Sequence, residues 1–142
     1  MSEPLFVDTG GWIALLYTCD NLHQRASRHL EEARRRQRPL ITTAAVLLET
    51  LDGLAQHNLR HLSGLLRRTL QSSQAVEIVE WDKRFFDKGW DLFEARADKT
   101  WSLTDCLSFV IMQERKIRDA LAYDHHFQQA GFRPLLREEV TI

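Results

Sequence analysis

Short apolar runs that end at polar or turn-forming residues alternate with helical stretches along this whole chain, and that alternation restricts its fold more than any other feature. Leu5, Phe6 and Val7 stop at Asp8-Thr9-Gly10-Gly11, and an apolar run suited to a helix follows from Trp12 to Leu16. The first unit therefore reads as strand, turn, helix. Between residues 22 and 36 the composition is strongly helix-forming, with Ala26, Leu30 and Ala33 on one face, and Pro39 closes the segment. Leu40, Ile41 and Thr42 read as a second strand, after which Thr42 or Thr43 caps a helix carrying Val46, Leu47, Leu51, Leu54 and Ala55. A helix over residues 60–72, a β-branched strand at Val76-Glu77-Ile78-Val79 and a helix over residues 83–96 come next. Ser102-Leu103-Thr104-Asp105 is a helix start signal of the S-x-x-D type. Ala120-Leu121-Ala122 is a brief strand, a short helix carries Phe127 and ends at Gly131, and Arg133-Pro134-Leu135-Leu136 reads as an edge strand. Strands joined by connections this long cannot form hairpins. They predict an α/β fold with a mainly parallel sheet covered on both faces.

The 142 residues suffice for one core, so a single domain over residues 1–142 is expected, without disulfides or a structural metal. No apolar run approaches the roughly 20 residues that span a bilayer, and the N-terminus lacks the basic start and apolar stretch of a signal peptide. A soluble, cytoplasmic protein with no membrane association is the expectation. Cys19 and Cys106 form no CxxC, which predicts reduced, partly buried thiols and no zinc knuckle. With a net charge of -1 the chain has no global field for nucleic acid, so any such contact must be local. Arginines cluster at residues 34–38 and at Arg67-Arg68.

In open parallel sheets, ligands bind beyond the carboxyl ends of the strands, where strand order reverses. Asp8 and Asp124 each follow a short apolar strand, Asp105 opens the helix that leads into the strand before Asp124, and Glu49 lies early in the helix after the second strand, beside Asp52 and Gln56. Local capping accounts for each aspartate alone: Asp8 and Asp124 suit helix N-caps, and Asp105 suits the third position of a capping box with Ser102. Glu49 alone reads as a solubilising charge. Capping does not explain why such acids should gather at one sheet edge. Two carboxylates about 4 Å apart repel by roughly 4 kcal/mol at an effective dielectric near 20, so protons or a cation must relieve the set. An all-oxygen set prefers a hard ion, Mg²⁺ or Mn²⁺, which supplies an ionisable water and stabilises the leaving oxygen of an in-line displacement. Phosphodiester hydrolysis fits that chemistry.

Thr9, Ser102 and Thr104 place hydroxyls beside the acids, where they could orient the carboxylates or simply cap helices. His57 and His61 read as exposed, and His125 and His126 as facing solvent or substrate rather than metal. Trp12, Trp81, Trp90 and Trp101 read as core or core-edge aromatics rather than stacking platforms.

Phe6-Val7-Asp8-Thr9, Leu48-Glu49, Trp101-Ser102-Leu103-Thr104-Asp105-Cys106 and Ala120-Leu121-Ala122-Tyr123-Asp124-His125-His126-Phe127, followed by Ala130-Gly131-Phe132, together resemble the PIN-domain family, above all its small VapC-like toxin ribonucleases. The resemblance covers essentially the full chain. It implies a three-layer α/β/α sandwich with strand order 3-2-1-4-5, dependence on Mg²⁺ or Mn²⁺, and endonuclease activity on single-stranded RNA. It further implies a homodimer and inhibition by a small cognate antitoxin of a type II toxin-antitoxin pair. Asp8, Glu49, Asp105 and Asp124 match the family's four acids, the catalytic and metal-holding residues, and Thr9 matches its small hydroxyl residue. Two positions depart: Ala122 stands where members often carry threonine, and His126 and Phe127 stand where some carry a fifth acid. The second departure implies a weaker second metal site. Apolar helix surface near residues 12–16 and 47–54 is expected to serve the partners.

Two rival classes follow from the same residues. A non-catalytic module would use the fold to hold a protein or RNA partner, and the acids argue against it. Phosphoryl transfer through Asp8 would require an Asp-x-Asp, whereas Thr9 and Gly10 follow Asp8.

Overall fold

Every strand pairing in the sheet is parallel, so each strand must be reached by a crossover, and the helices supply these connections. The computed structural model describes residues 2–72 and 75–138. In chain order the elements are β1 (Leu5–Val7), α1 (Thr9–Leu16), α2 (His23–Arg35), β2 (Leu40–Thr43), α3 (Ala44–Gln56), a 3-10 turn (Arg60–Leu62) and α4 (Ser63–Ser72). They continue with β3 (Val76–Val79), α5 (Lys83–Ala95), α6 (Leu103–Glu114), β4 (Asp119–Leu121), α7 (His125–Gln129), β5 (Arg133–Pro134) and a 3-10 turn (Leu135–Arg137). The sheet order is β3-β2-β1-β4-β5, as the family resemblance implied. With the usual right-handed crossover, this order places α1 to α4 on one face and α5 to α7 on the other. α1 touches α2, α3 and α4, and α6 touches α5 and α7.

β1 and β2 are buried at every residue, which is why their sequences are continuous apolar or threonine runs rather than alternating ones. Phe6 pairs with Ile41 on one side and Ala120 on the other, so β1 is the central strand. Strand order reverses beside it, between the β1→β2 and β3→β4 crossovers. Thr42 is buried in this centre, and its hydroxyl donates to the Val7 carbonyl at 2.9 Å while accepting the Trp12 indole N–H at 3.3 Å. The edges differ: β3 is only half-buried, and β5 is two residues long with Pro134, as suits an edge.

Several boundaries differ from the sequence reading. Residues 9–11 form the first turn of α1 rather than a turn before it, with Asp8 extended as the N-cap residue. Gly11 is there for close approach: a Cβ on it would lie 2.2 Å from the Leu121 carbonyl oxygen of β4. The segment beginning at Arg60 starts as a 3-10 turn, and the predicted edge strand over residues 133–136 gives way to a 3-10 turn at Leu135. Trp12 and Trp101 are core residues, but Trp81 and Trp90 are 49% and 50% exposed, against the expectation for both. Trp81 lies in the β3–α5 connection, Trp90 lies on the outer side of α5, and Phe86 packs between their rings. Cys106 is buried but Cys19, between α1 and α2, is exposed. Trp12 and Leu16 belong to the core, so the apolar surface of α1 is confined to the half-buried Ile13 and Leu15, while Leu48 and Leu51 of α3 are exposed. No helix among the described residues is long and apolar enough to cross a membrane.

α2 ends with Gln37 in the left-handed region, φ 56°, where the Arg38 N–H bonds the Ala33 carbonyl. A side chain there costs about 1 kcal/mol relative to glycine. Gln37→Gly is expected to raise the unfolding free energy by about that amount, read as a higher denaturant midpoint with unchanged slope.

Candidate active site

Because all five strands run the same way, their carboxyl ends share one edge, and the connections leaving that edge carry Asp8, Glu49, Trp81 and Asp124. Asp8 follows β1 directly, and Asp124 lies three residues beyond β4 as the N-cap of α7, accepting the His126 N–H at 3.0 Å. Thr43 caps α3 by accepting the Val46 N–H, and that start brings Glu49 against the N-terminus of α1. There the Thr9 hydroxyl donates to Glu49 Oε1 at 2.6 Å. The capping box at the start of α6 is complete: Ser102 Oγ accepts the Asp105 N–H at 3.0 Å and Asp105 Oδ2 accepts the Ser102 N–H at 3.1 Å. Asp105 is therefore both a helix cap and a member of the acidic site.

Crowding of the acids registers on Asp8 and Asp105. Burial, followed by repulsion from Asp105, pushes the Asp8 carboxyl up to about 8; the Thr9 N–H opposes this, while Glu49 and Asp124 add to it. Asp105 is also raised, first by burial, with the Ser102 N–H and His126 pulling the other way and Asp124 adding repulsion. Asp8 is only 7% exposed, and its Oδ1 is buried with no hydrogen-bond partner among the described residues. A buried, unpartnered carboxylate oxygen is costly and calls for a cation or a proton.

His126 is the residue that sequence reasoning misplaced. Its side chain is 15% exposed, with Nδ1 3.0 Å from Asp105 Oδ2 and 3.2 Å from Asp124 Oδ2. With the proton on Nδ1, the ring donates to Asp105, and Nε2 then accepts the Thr100 hydroxyl at 3.2 Å. Its position two residues after Asp124, at the start of a short helix, was the available signal, but the partner comes from α6 and is remote in sequence. Ligand atoms of Asp124, His125 and His126 lie within 4.8 Å of one another; among the described residues, the acids alone form no such group of three. Of the three hydroxyls singled out, that of Thr9 bonds a carboxylate, that of Ser102 accepts the Asp105 backbone N–H, and Thr104 only borders the site. His57 and His61 are exposed as expected.

The residues fit a hard divalent cation. The donors of the quartet are all carboxylate oxygens, Asp8 Oδ1 has no other partner, and both hydrogen bonds to Asp105 fall on Oδ2. Beside the acids, a cavity of about 530 Å³ extends from Thr9 and Glu49 along α3 to Trp81.

Known proteins resemble this chain in both sequence and fold. The 23S rRNA-specific endonuclease VapC20 of Mycobacterium tuberculosis, in strains CDC 1551 / Oshkosh and H37Rv, is 25% identical over 128 residues, spanning 90% of this chain and 95% of the relative. The crystal structure of Mycobacterium tuberculosis VapC20, described as a sarcin-ricin loop cleaving toxin, superposes with a TM-score of 0.79 at 25% identity, covering 92% of this chain and 97% of that one. The family model of the PIN domain matches residues 5–133, and with the sheet in the order 3-2-1-4-5, the chain belongs to the PIN domain family.

Proposed function

We propose that this protein is an endoribonuclease dependent on Mg²⁺ or Mn²⁺, the toxin of a type II toxin-antitoxin pair, with Asp8, Glu49, Asp105 and Asp124 as its catalytic and metal-holding residues. The observation that carries the reading is the buried, unpartnered Asp8 Oδ1 amid three further acids that raise its pKa. The similarity to VapC20, named for endonuclease action on 23S rRNA, supports RNA as the substrate class. When bound, the divalent ion supplies an ionisable water and neutralises charge at the leaving oxygen.

The remaining work falls to the chain. The buried Asp8 and Asp105 and the more open Glu49 and Asp124 would hold the ion. Thr9 fixes the Glu49 carboxylate through its hydroxyl, Ser102 fixes Asp105 through the capping box, and His126 keeps Asp105 and Asp124 together in place of a further acid. The product keeps a 5′-phosphate. The outward Leu48 and Leu51 of α3 and Leu65 of α4 suit a homodimer or a small antitoxin in the cytoplasm.

Incubation with matched RNA and DNA oligonucleotides, with Mn²⁺ or with chelator, tests the assignment. Cleavage of RNA alone and only with metal is expected, and metal-independent or absent cleavage would refute it. Thr9→Val leaves Glu49 unheld and is expected to weaken Mn²⁺ binding roughly tenfold or more by calorimetry, in line with the loss of a group that orients a ligand. A cation must displace the proton that Asp8 carries below about 8, so binding is expected to release protons and tighten with rising pH up to that value. Calorimetry in buffers of different ionisation enthalpy reads the released proton directly.

A further inference from the structure

Trp81 is exposed yet does not stand alone. It leaves the carboxyl end of β3 at the same sheet edge as the acids, its indole is backed by Phe86 at a centroid distance of 6.2 Å, and it borders the cavity that begins at Thr9 and Glu49. The cavity floor is apolar, formed by Ile13, Leu103 and Leu107. Its volume, about 530 Å³, lies in the range of roughly 300 to 1,000 Å³ that small-ligand sites occupy. One and two turns along α3 from Glu49, the exposed Asp52 and Gln56 border the same space, and neither side chain hydrogen-bonds any described residue. A half-exposed indole, an apolar floor and unpartnered polar groups on one wall are what a flat heterocycle with a hydrogen-bonding edge requires.

We infer that this cavity is a base-binding subsite in which a guanine next to the scissile phosphate stacks on Trp81 and is read by Asp52. This deepens the endoribonuclease reading and rests on it. A carboxylate offers two acceptors side by side, and guanine is the one common base whose pairing edge presents two adjacent donors, N1–H and the 2-amino group. Cytosine and adenine present one donor beside an acceptor, which would face a carboxylate oxygen with no hydrogen between them. The Gln56 amide, able both to donate and to accept, suits the neighbouring O6 of the same base. Arg34, Arg35, Arg36 and Arg38 lie at the C-terminal end of α2 and just beyond it, and do not line this pocket.

The test uses single-stranded RNAs that carry guanosine, inosine, adenosine, cytidine or uridine at one position in an otherwise uniform uridine strand. Cleavage kinetics and anisotropy binding in Ca²⁺ are measured on each. Trp81→Ala is expected to raise KM and Kd for the guanosine strand roughly ten- to a hundredfold, as loss of one base-aromatic stack implies, with kcat little changed. Trp81→Phe restores most of the loss. Inosine, which lacks the 2-amino group, binds the native protein more weakly than guanosine, and Asp52→Asn erases that difference. Unchanged RNA affinity in Trp81→Ala, or equal affinity for all five strands, overturns the inference. So does unchanged RNA affinity accompanied by weakened binding of an arginine-bearing peptide, which would make the pocket a protein-docking site. Asp105→Asn separates the two readings: it abolishes cleavage while leaving the base preference in binding intact, and a variant that still cleaves sinks the nuclease assignment instead.

Discussion

Asp8→Asn is expected to lose RNA cleavage by at least a hundred- to a thousandfold and, in chelator, to unfold at a higher temperature than the native protein. On the proposed assignment, the loss follows from removing a charged oxygen that would hold the ion, at a position with no hydrogen-bond partner among the described residues. The ion's electrostatic contribution is several kcal/mol, and each ~1.36 kcal/mol is a decade in rate. The gain in stability comes from the same carboxyl. Its folded pKa, about 8, lies above the ordinary value of 3.8, so the folded protein binds a proton that the unfolded chain releases. The carboxyl therefore costs nothing below about pH 4, and stability falls as pH rises toward about 8, by on the order of 5 kcal/mol at ~1.36 kcal/mol per unit. The amide of the Asp8→Asn variant carries no proton equilibrium, so denaturant titrations of that variant in chelator should show a much flatter dependence over that window. Asp105, raised in the same direction, leaves a residual slope. A variant no more stable than the native protein at pH 8 without metal would mean that Asp8 is not held at such a cost, and retention of activity would remove it from the site.

Gly11→Ala should be the most damaging single methyl group in the chain, whereas Gly10→Ala one residue earlier should be harmless. The added Cβ at Gly11 would stand 2.2 Å from the Leu121 carbonyl oxygen and 3.1 Å from its carbon, both backbone atoms that no rotamer change can move. α1 must lift from β4 to admit it. Overpacking of this kind costs about 3 kcal/mol or more, a fall in Tm on the order of 10 °C. At Gly10 a Cβ would meet nothing within 4 Å, and alanine in a helix is favoured over glycine by about 1 kcal/mol. Because α1 carries Thr9 and follows Asp8, while β4 leads to Asp124, the same displacement should weaken Mn²⁺ binding. Equal melting temperatures for the two alanine variants would show that α1 and β4 are not in the tight contact described.

Much of the architecture was legible because the physics that fixes it is local. Continuous burial of β1 and β2 leaves an apolar run in the sequence, and the Ser102–Asp105 capping box is written in four consecutive residues. The family resemblance supplied the strand order. Where the reading failed, the deciding contact was remote. Gly11 looked like a turn residue because nothing near it in sequence reveals that Leu121 lies against it. Trp81 and Trp90 looked like core or core-edge residues because an apolar side chain carries no sign of which side of a helix or loop will be left open.

The chain's own residue pattern determined the alternation of strand and helix, the crossover connections and the position of Asp8, Asp105 and Asp124 at helix starts. Only the tertiary structure decided that Thr9 would hold Glu49, that His126 would bridge Asp105 and Asp124, and that Asp8 Oδ1 would be buried with no partner among the described residues. Hydrophobic periodicity and capping act over a few residues and survive in the linear code. Hydrogen bonds, repulsion and desolvation between groups as remote as Thr9 and Glu49, 40 residues apart, exist only once the sheet has brought its carboxyl ends to a common edge.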